Sequence, residues 1–232
     1  TWRNSLRFYG LLGFLIALIW LLLGREAKTH SVSSTSMPLR EAIERLLKEK
    51  LVWIFSIIGF SVGFAGYGLG RWLPRMLELN GISSTEAGLL SSIPGWCGLI
   101  GSLIIPSFTK PSQRKFAIFI LLLVQGICVF TTGVSIGLTL IASLIFYGIT
   151  SSATAPLVIV AIMDLPQIGA KYMGVASGIF FMLVALGGFI GPLIVGFLAD
   201  LTKSIIPGLV TMTVLVEATL IFTLLLKEKR KD

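Results

Sequence analysis

Hydrophobic positions gather into seven long runs, 8–24, 51–70, 87–106, 116–133, 137–163, 173–199 and 205–226, and polar residues are largely confined to the gaps. A bilayer core of ~30 Å needs about 20 mostly apolar residues in a helix rising 1.5 Å per residue. Every run meets or nearly meets that length. A membrane β-barrel would instead alternate polar and apolar residues over about 10 positions, and these runs do not. The pattern predicts an all-α, polytopic membrane bundle of seven transmembrane helices.

Composition agrees. The 232 residues are 55% hydrophobic and 13% charged, with mean hydropathy +0.92, whereas soluble domains carry about 25% charge. The runs hold 151 residues and one charge, Glu217; the other 29 charges fall in the remaining 81 residues. A soluble enzyme, a disordered chain and a nucleic-acid-binding domain are excluded on this ground. The net charge of +8 reflects unequal loops: connections 25–50, 107–115, 164–172 and 227–232 hold 14 of the 19 Lys and Arg, and the alternate ones hold 5. The positive-inside rule puts the 14 in the cytoplasm, the N-terminus outside and the C-terminus inside a plasma membrane. The basic tail Lys227, Lys229, Arg230 and Lys231 is then placed to touch anionic headgroups. Cys97 and Cys128 lie within runs, where cysteine behaves as a small apolar residue, so a structural disulfide is not expected. Arg3 and Arg7 before an apolar run imitate a secretory signal, but the run is long and no small-x-small cleavage site follows.

Three segments are expected along the chain. Residues 1–24 form an orphan span, 25–50 a cytoplasmic linker, and 51–232 a six-helix bundle. The opening residue is Thr1, and a chain that starts outside the membrane without a signal suggests spans preceding it. In the linker, Pro38 introduces PLREAIERLLKEK, whose Leu39, Ala42, Ile43, Leu46 and Leu47 recur at helical spacing. This segment reads equally as an amphipathic helix on the inner membrane surface or as a solvated linker helix. The six remaining spans form two sets of three, each beginning with a long one. Two triplets of odd number must run in opposite senses, the geometry of the inverted repeats of secondary transporters.

Glycine, 25 of 232 residues, permits close approach of helix backbones in a membrane. Gly66-x-x-x-Gly70, Gly174-x-x-x-Gly178 and Gly187-x-x-x-Gly191 fit a small-xxx-small pattern. The few polar or aromatic positions suited to lining a solute cavity are Tyr67, Ser92, Trp96, Tyr147, Thr150, Ser151, Ser177 and Phe181; each taken alone also suits interhelical hydrogen bonding or packing. Glu217 reads either as a protonatable coupling site or as a neutral acid bonded to a neighbouring helix through Gln125 or Thr213. Arg71 and Arg75, four apart, share a helical face that could attract an anion; the bland reading is interfacial anchoring, with Glu78 pairing Arg75. The only histidine, His30, lies in a loop, so zinc and Ser–His arrangements fail. No Gly-rich phosphate loop is encoded, and neither metal nor cofactor is expected. A seven-helix receptor shares the topology, but the last run lacks a retinal-binding Lys, and no Asp-Arg-Tyr-like turn or Asn-Pro bend occurs. A non-transporting membrane scaffold is a further alternative.

The opening TWRNSLRFYGLLGFLIALIWLLLGRE, the basic linker with its PLREAIERLLKEK helix, and KYMGVASGIFFMLVALGGFIGPLIVGFLADLTKS (171–204) together resemble the major facilitator superfamily of secondary transporters. The resemblance covers essentially the whole chain. It implies the sixth helix, the central loop and helices seven to twelve of such a protein, working by rocker-switch alternating access. It also implies a small-molecule substrate, a proton or sodium ion as coupling partner, and a surrounding lipid bilayer. Helices seven, eight, ten and eleven would supply the cavity. Between helices eight and nine the family pattern of Gly, acid and paired basics is represented by Gly101 and Arg114-Lys115, but Pro106 stands where the acid is expected. Asp164 is the substitute considered for that cytoplasmic gate. GLGRWLPRMLELNGISSTEAGLL leans toward cyanate- and nitrate-type anion permeases.

Overall fold

The computed structural model describes residues 2–24, 39–165 and 168–225. Among these, seven helices are long and apolar enough to cross a membrane, matching the seven runs. The chain divides into two compact units, Thr1–Met37 and Pro38–Asp232. The first contains one apolar helix, α1 (Trp2–Leu23). The second contains the amphipathic α2 (Leu39–Leu46) and then α3 (Lys50–Leu79), α4 (Ser84–Phe108), α5 (Arg114–Val134), α6 (Gly137–Met163), α7 (Gly169–Thr202), α8 (Ile206–Ala218) and α9 (Leu220–Leu224). The basic tail, His30 and the polar start of the linker lie outside the described residues.

Local chemistry explains the tight connections. Helix α3 ends at Asn80, and Gly81 takes φ +84°. Its N–H donates to the Glu78 carbonyl (3.0 Å), and that of Ile82 donates to Leu77 (3.1 Å). This is a Schellman stop, which requires the left-handed conformation that glycine adopts without strain. Two residues later Ser83 starts α4 as its N-cap: its hydroxyl accepts from the Glu86 N–H (3.4 Å) and donates to the Glu86 carboxylate (2.9 Å). Helix α8 breaks at Thr219, whose side chain bonds the Val216 carbonyl (2.6 Å) and Ser61 of α3 (3.3 Å).

Helix α2 is docked rather than solvated. Ala42 and Leu46 are buried, and the helix packs on α7. Arg45 lies 5.0 Å from the centre of the Tyr172 ring and donates to its hydroxyl (2.9 Å). The Trp53 indole donates to the Leu47 carbonyl (2.8 Å), holding the junction with α3.

Packing within the six-helix unit follows a symmetric scheme. The most extensive contacts are α3 with α7 and α4 with α6; α5 packs on α6 and α8, and α8 packs on α3. Matching the first triplet, α3–α4–α5, to the second, α6–α7–α8, exchanges the two principal pairs with one another. It also exchanges α5·α6 with α8·α3. The inverted repeat expected from span lengths is therefore present in the contact scheme.

Glycine allows both principal crossings. A Cβ on Gly63 would meet the Val184 carbonyl, and Cβ atoms on Gly187 and Gly191 would meet the Phe60 and Phe64 carbonyls. At the partner crossing, Gly98 abuts Ser152, Gly101 the Ile149 backbone, and Gly148 the Pro94 carbonyl. Of the three spaced motifs, only Gly187-x-x-x-Gly191 lies at such an approach. At Gly70, Gly174 and Gly178 no atom comes within 4 Å of where a Cβ would stand, and at Gly66 only the Tyr147 hydroxyl does, at 4.0 Å. Gly187→Val and Gly191→Val should each destabilise the unit by about 1–3 kcal/mol through overpacking. Gly174→Val and Gly178→Val should cost less than about 0.5 kcal/mol, the level of ordinary surface changes. Thermal unfolding of the purified variants in detergent checks the contrast.

Candidate functional site

Helices α3, α4, α6 and α7 pack on one another, with α5 and α8 packed against α6 and α3, and the exposed surfaces of the first four carry side chains suited to a solute path. On α3, Tyr67 is 52% exposed, and Gly70, Arg71 and Arg75 are exposed at the following turns. On α4, Ser92 and Trp96 are exposed, Trp96 to 71%. On α7, Phe181 is 53% exposed and meets Phe180 edge to face at 5.3 Å.

Three of these helices meet near mid-length. The Tyr67 ring lies over Gly188 of α7, 2.6 Å from where a Cβ would stand. Its neighbour Gly66 faces the Tyr147 hydroxyl of α6, and that hydroxyl is hydrogen-bonded to Ser151 one turn on. Trp96 lies between Pro94 and Gly98, which touch Gly148 and Ser152. Tyr67, Trp96, Tyr147 and Ser151 thus occupy one level of the bundle. Ser177 and Phe181 lie further toward the end where α7 begins, because their neighbour Phe180 packs on Gly59, two turns before Tyr67.

The predicted cavity residues therefore divide into three groups. Tyr67, Ser92, Trp96 and Phe181 are presented outward, and Ser151 and Ser177 are half-buried. Tyr147 and Thr150 are turned into the helix contacts, only 4% and 5% exposed. The Thr150 hydroxyl donates to the Phe146 carbonyl (2.8 Å). Those of Ser92 and Ser177 likewise donate to their own helices, at Leu89 (2.7 Å) and Met173 (2.8 Å). Bonding of this kind satisfies a hydroxyl in an apolar medium without a partner helix.

The two arginines of α3 separate in role. Arg75 pairs with Glu78 at 3.3 Å. Arg71, exposed and one turn beyond Tyr67, has no ion-pair or hydrogen-bond partner among the described residues. The two look alike as members of one helical face, although Glu78 three residues after Arg75 already carries the distinguishing signal.

Asp164, at the end of α6, forms an ion pair with Arg114 at the start of α5, and Arg114 also donates to the Val160 carbonyl (3.1 Å). Adjacent Lys115 reaches the Leu224 carbonyl at the end of α9 (3.4 Å). The paired basic residues thus tie the start of α5 to the ends of two other helices. Glu217 lies on α8, with its carboxyl against Gly126 of α5. Neither Gln125 nor Thr213 bonds it; all three have buried polar atoms without partners. Among the described residues no group of three or more His, Cys, Asp or Glu is arranged to hold a metal.

Seven helices long and apolar enough to cross a membrane, six of them in one unit whose principal contacts exchange between two triplets, define the class as an all-α membrane bundle. The family model of the Major Facilitator Superfamily matches residues 1–192, and the chain belongs to that family. Inverted triplets within each half are an established property of it. The sequence is 26% identical over 189 residues to an "Uncharacterized protein" of Archaeoglobus fulgidus, covering 80% of this chain and 84% of the relative. It is 29% identical over 191 residues to a "Quinolone resistance transporter" of Acinetobacter baumannii, covering 79% and 42%. A "Probable nitrate transporter" of Staphylococcus haemolyticus is 26% identical over 210 residues, covering 88% and 51%. The solved fucose:proton symporter of E. coli shares the fold, with TM-score 0.69, 17% identity, and coverage of 91% of this chain and 52% of that one. The chain thus spans about half the length of the transporters named here. It is an integral membrane protein of a transporter family rather than an enzyme, and the family replaces the receptor alternative.

The half-buried Arg114–Asp164 pair should outweigh an exposed one. Asp164→Ala is expected to lower stability by about 1–3 kcal/mol, since it leaves the guanidinium without its counter-charge. Glu44→Ala, which removes the exposed Arg40 partner, should change it by less than about 0.5 kcal/mol. Unfolding of both variants in the same detergent makes the comparison.

Proposed function

We propose that this chain forms the C-terminal half of a secondary transporter, with the face of α3, α4, α6 and α7 as its side of the solute path. In this reading α1 is the last helix of a preceding bundle and residues 25–50 are the central linker. The end carrying Arg114, Asp164 and α2 is cytoplasmic, as the loop charges require. The two glycine-set pairs, α3 with α7 and α4 with α6, move as rigid units when one half rocks against the other about a midplane site. The Arg114–Asp164 pair holds the cytoplasmic end of this half together through that motion.

The substrate is a small anion. The observation that carries this is Arg71: an unpaired guanidinium one turn beyond Tyr67 on the exposed face. Arginine presents planar, paired donors suited to carboxylate or nitrate oxygens, and it stays charged at any physiological pH. Tyr67 and Trp96 at the level below would pack against the solute body. The nitrate transporter among the relatives is consistent with an anion; the quinolone transporter marks how widely substrates vary among proteins of this fold. A proton or sodium ion moving with the solute would supply the driving force.

Uptake of labelled nitrate, a dicarboxylate and a neutral hexose by cells expressing the full gene tests the assignment. Arg71→Ala should raise KM for the transported anion about tenfold or more, equivalent to ~1.4 kcal/mol of lost binding, and Arg71→Lys should recover part of the loss. Arg75→Ala should leave uptake near wild type. Transport of the hexose alone, or anion uptake unchanged in Arg71→Ala, would overturn the reading.

A further inference from the structure

We infer that Glu217, half-buried with one carboxyl oxygen sealed in the seam between α5 and α8, is a proton-binding site separate from the four-helix face, and that its proton stays with the protein. The carboxyl lies where a Cβ of residue 126 would stand, so glycine at that position makes room for it. Its Oε1 is sealed from solvent and has no hydrogen-bond partner. The surroundings are equally unsatisfied: Gln125, fully buried on α5, has neither amide atom bonded, and the Thr213 hydroxyl one turn earlier on α8 is also without a partner.

Among the described residues no ion pair reaches the carboxyl. The titratable side chains of α5 are Arg114, Lys115 and Cys128, and Arg114 is paired with Asp164. Lys115, at the start of α5, is directed to the Leu224 carbonyl. Helix α3 meets α8 through Gly68 at Met212 and Ser61 at Thr219, and α7 meets it through Val195 at Gly208, all uncharged. Helix α9 carries no titratable side chain. An ionised carboxyl with one oxygen stripped of water and facing neither cation nor donor is costly to hold in an apolar seam. A metal cation would need several converging oxygens, and no partner reaches the buried one. A single covalently held proton neutralises the group without any such shell. The location separates this proton from the solute: Glu217 projects to α5, and the path proposed above is built from α3, α4, α6 and α7. The break in α8 at Thr219 lies two residues away, so ionisation would strain the seam at its least continuous point.

Carbodiimide labelling of the purified full chain tests this directly, and it does so whether or not the chain transports anions. Dicyclohexylcarbodiimide, an apolar reagent, adds to protonated carboxyls in apolar surroundings and leaves a stable N-acylurea, which is located by peptide mass spectrometry. At pH 7 Glu217 should be modified, whereas the exposed Glu41, Glu44 and Glu86 should remain at background. Gly126→Ala, which places a methyl where the carboxyl lies, should reduce the labelling of Glu217 to background. Glu217→Gln, a neutral isostere of the protonated acid, should melt within about 1 °C of wild type, below the roughly 2–4 °C shift that a 1 kcal/mol change gives a chain of this size. Absence of label on folded wild-type protein, label unaffected by Gly126→Ala, or a large loss of melting temperature in Glu217→Gln would each overturn the inference.

Discussion

Contact between helix backbones at glycine is the interaction on which this structure depends. Lipid tails are as apolar as leucine side chains, so helices in a bilayer gain little from hiding hydrophobic surface from one another and must associate through close packing. Gly63, Gly187 and Gly191 bring α3 onto α7, and Gly98, Gly101 and Gly148 bring α4 onto α6. Each crossing seats carbonyl groups of one helix where the other has no side chain. Because the inverted repeat exchanges the two crossings, the same device serves both halves of the unit. The four helices so joined also pack across the pairs, α3 on α4 and α6 on α7.

The proposed solute face has a consistent chemistry. Hydroxyls within the bundle mostly bond their own helix one turn back, as at Ser92, Thr150 and Ser177, so few polar groups remain for a solute. Aromatic rings at Tyr67 and Trp96 and the charge at Arg71 are what the face offers. Charge elsewhere in the unit serves the ends: Arg114 with Asp164, Lys115 on Leu224, Arg45 on Tyr172. In the proposed transport cycle, ionic ties at the basic end would keep the helix ends fastened while the pairs tilt around the mid-depth face.

Much of the fold is legible in the sequence because the bilayer imposes a length. Seven runs become seven helices, and the run from Gly137 to Met163 matches α6 at both boundaries. The opposed triplets follow from counting spans. Side-chain placement is less legible, because it depends on how each helix is rotated against its neighbours. Gly174-x-x-x-Gly178 satisfies the small-xxx-small pattern yet has nothing near it, while Gly98, Gly101 and Gly148 sit at a crossing without a Gly-x-x-x-Gly pair. Tyr147 and Tyr67 look alike as aromatic polar residues in spans, but one is sealed between helices and the other presented outward. The break at Thr219 has no Pro or Gly to announce it; the hydroxyl bonds to Val216 and Ser61 that accompany it involve both a local and a distant partner.

If the face of α3, α4, α6 and α7 is the solute path, water wets it, while the outer surface of α8 meets lipid. Thiol accessibility measures this difference, on a background with Cys97 and Cys128 replaced by serine. Tyr67→Cys, Arg71→Cys and Trp96→Cys in the full protein in membranes should react with a water-soluble maleimide, and Val214→Cys, exposed on α8, should not. Cysteines at 67, 71 and 96 as unreactive as the one at 214 would contradict a solute path on this face.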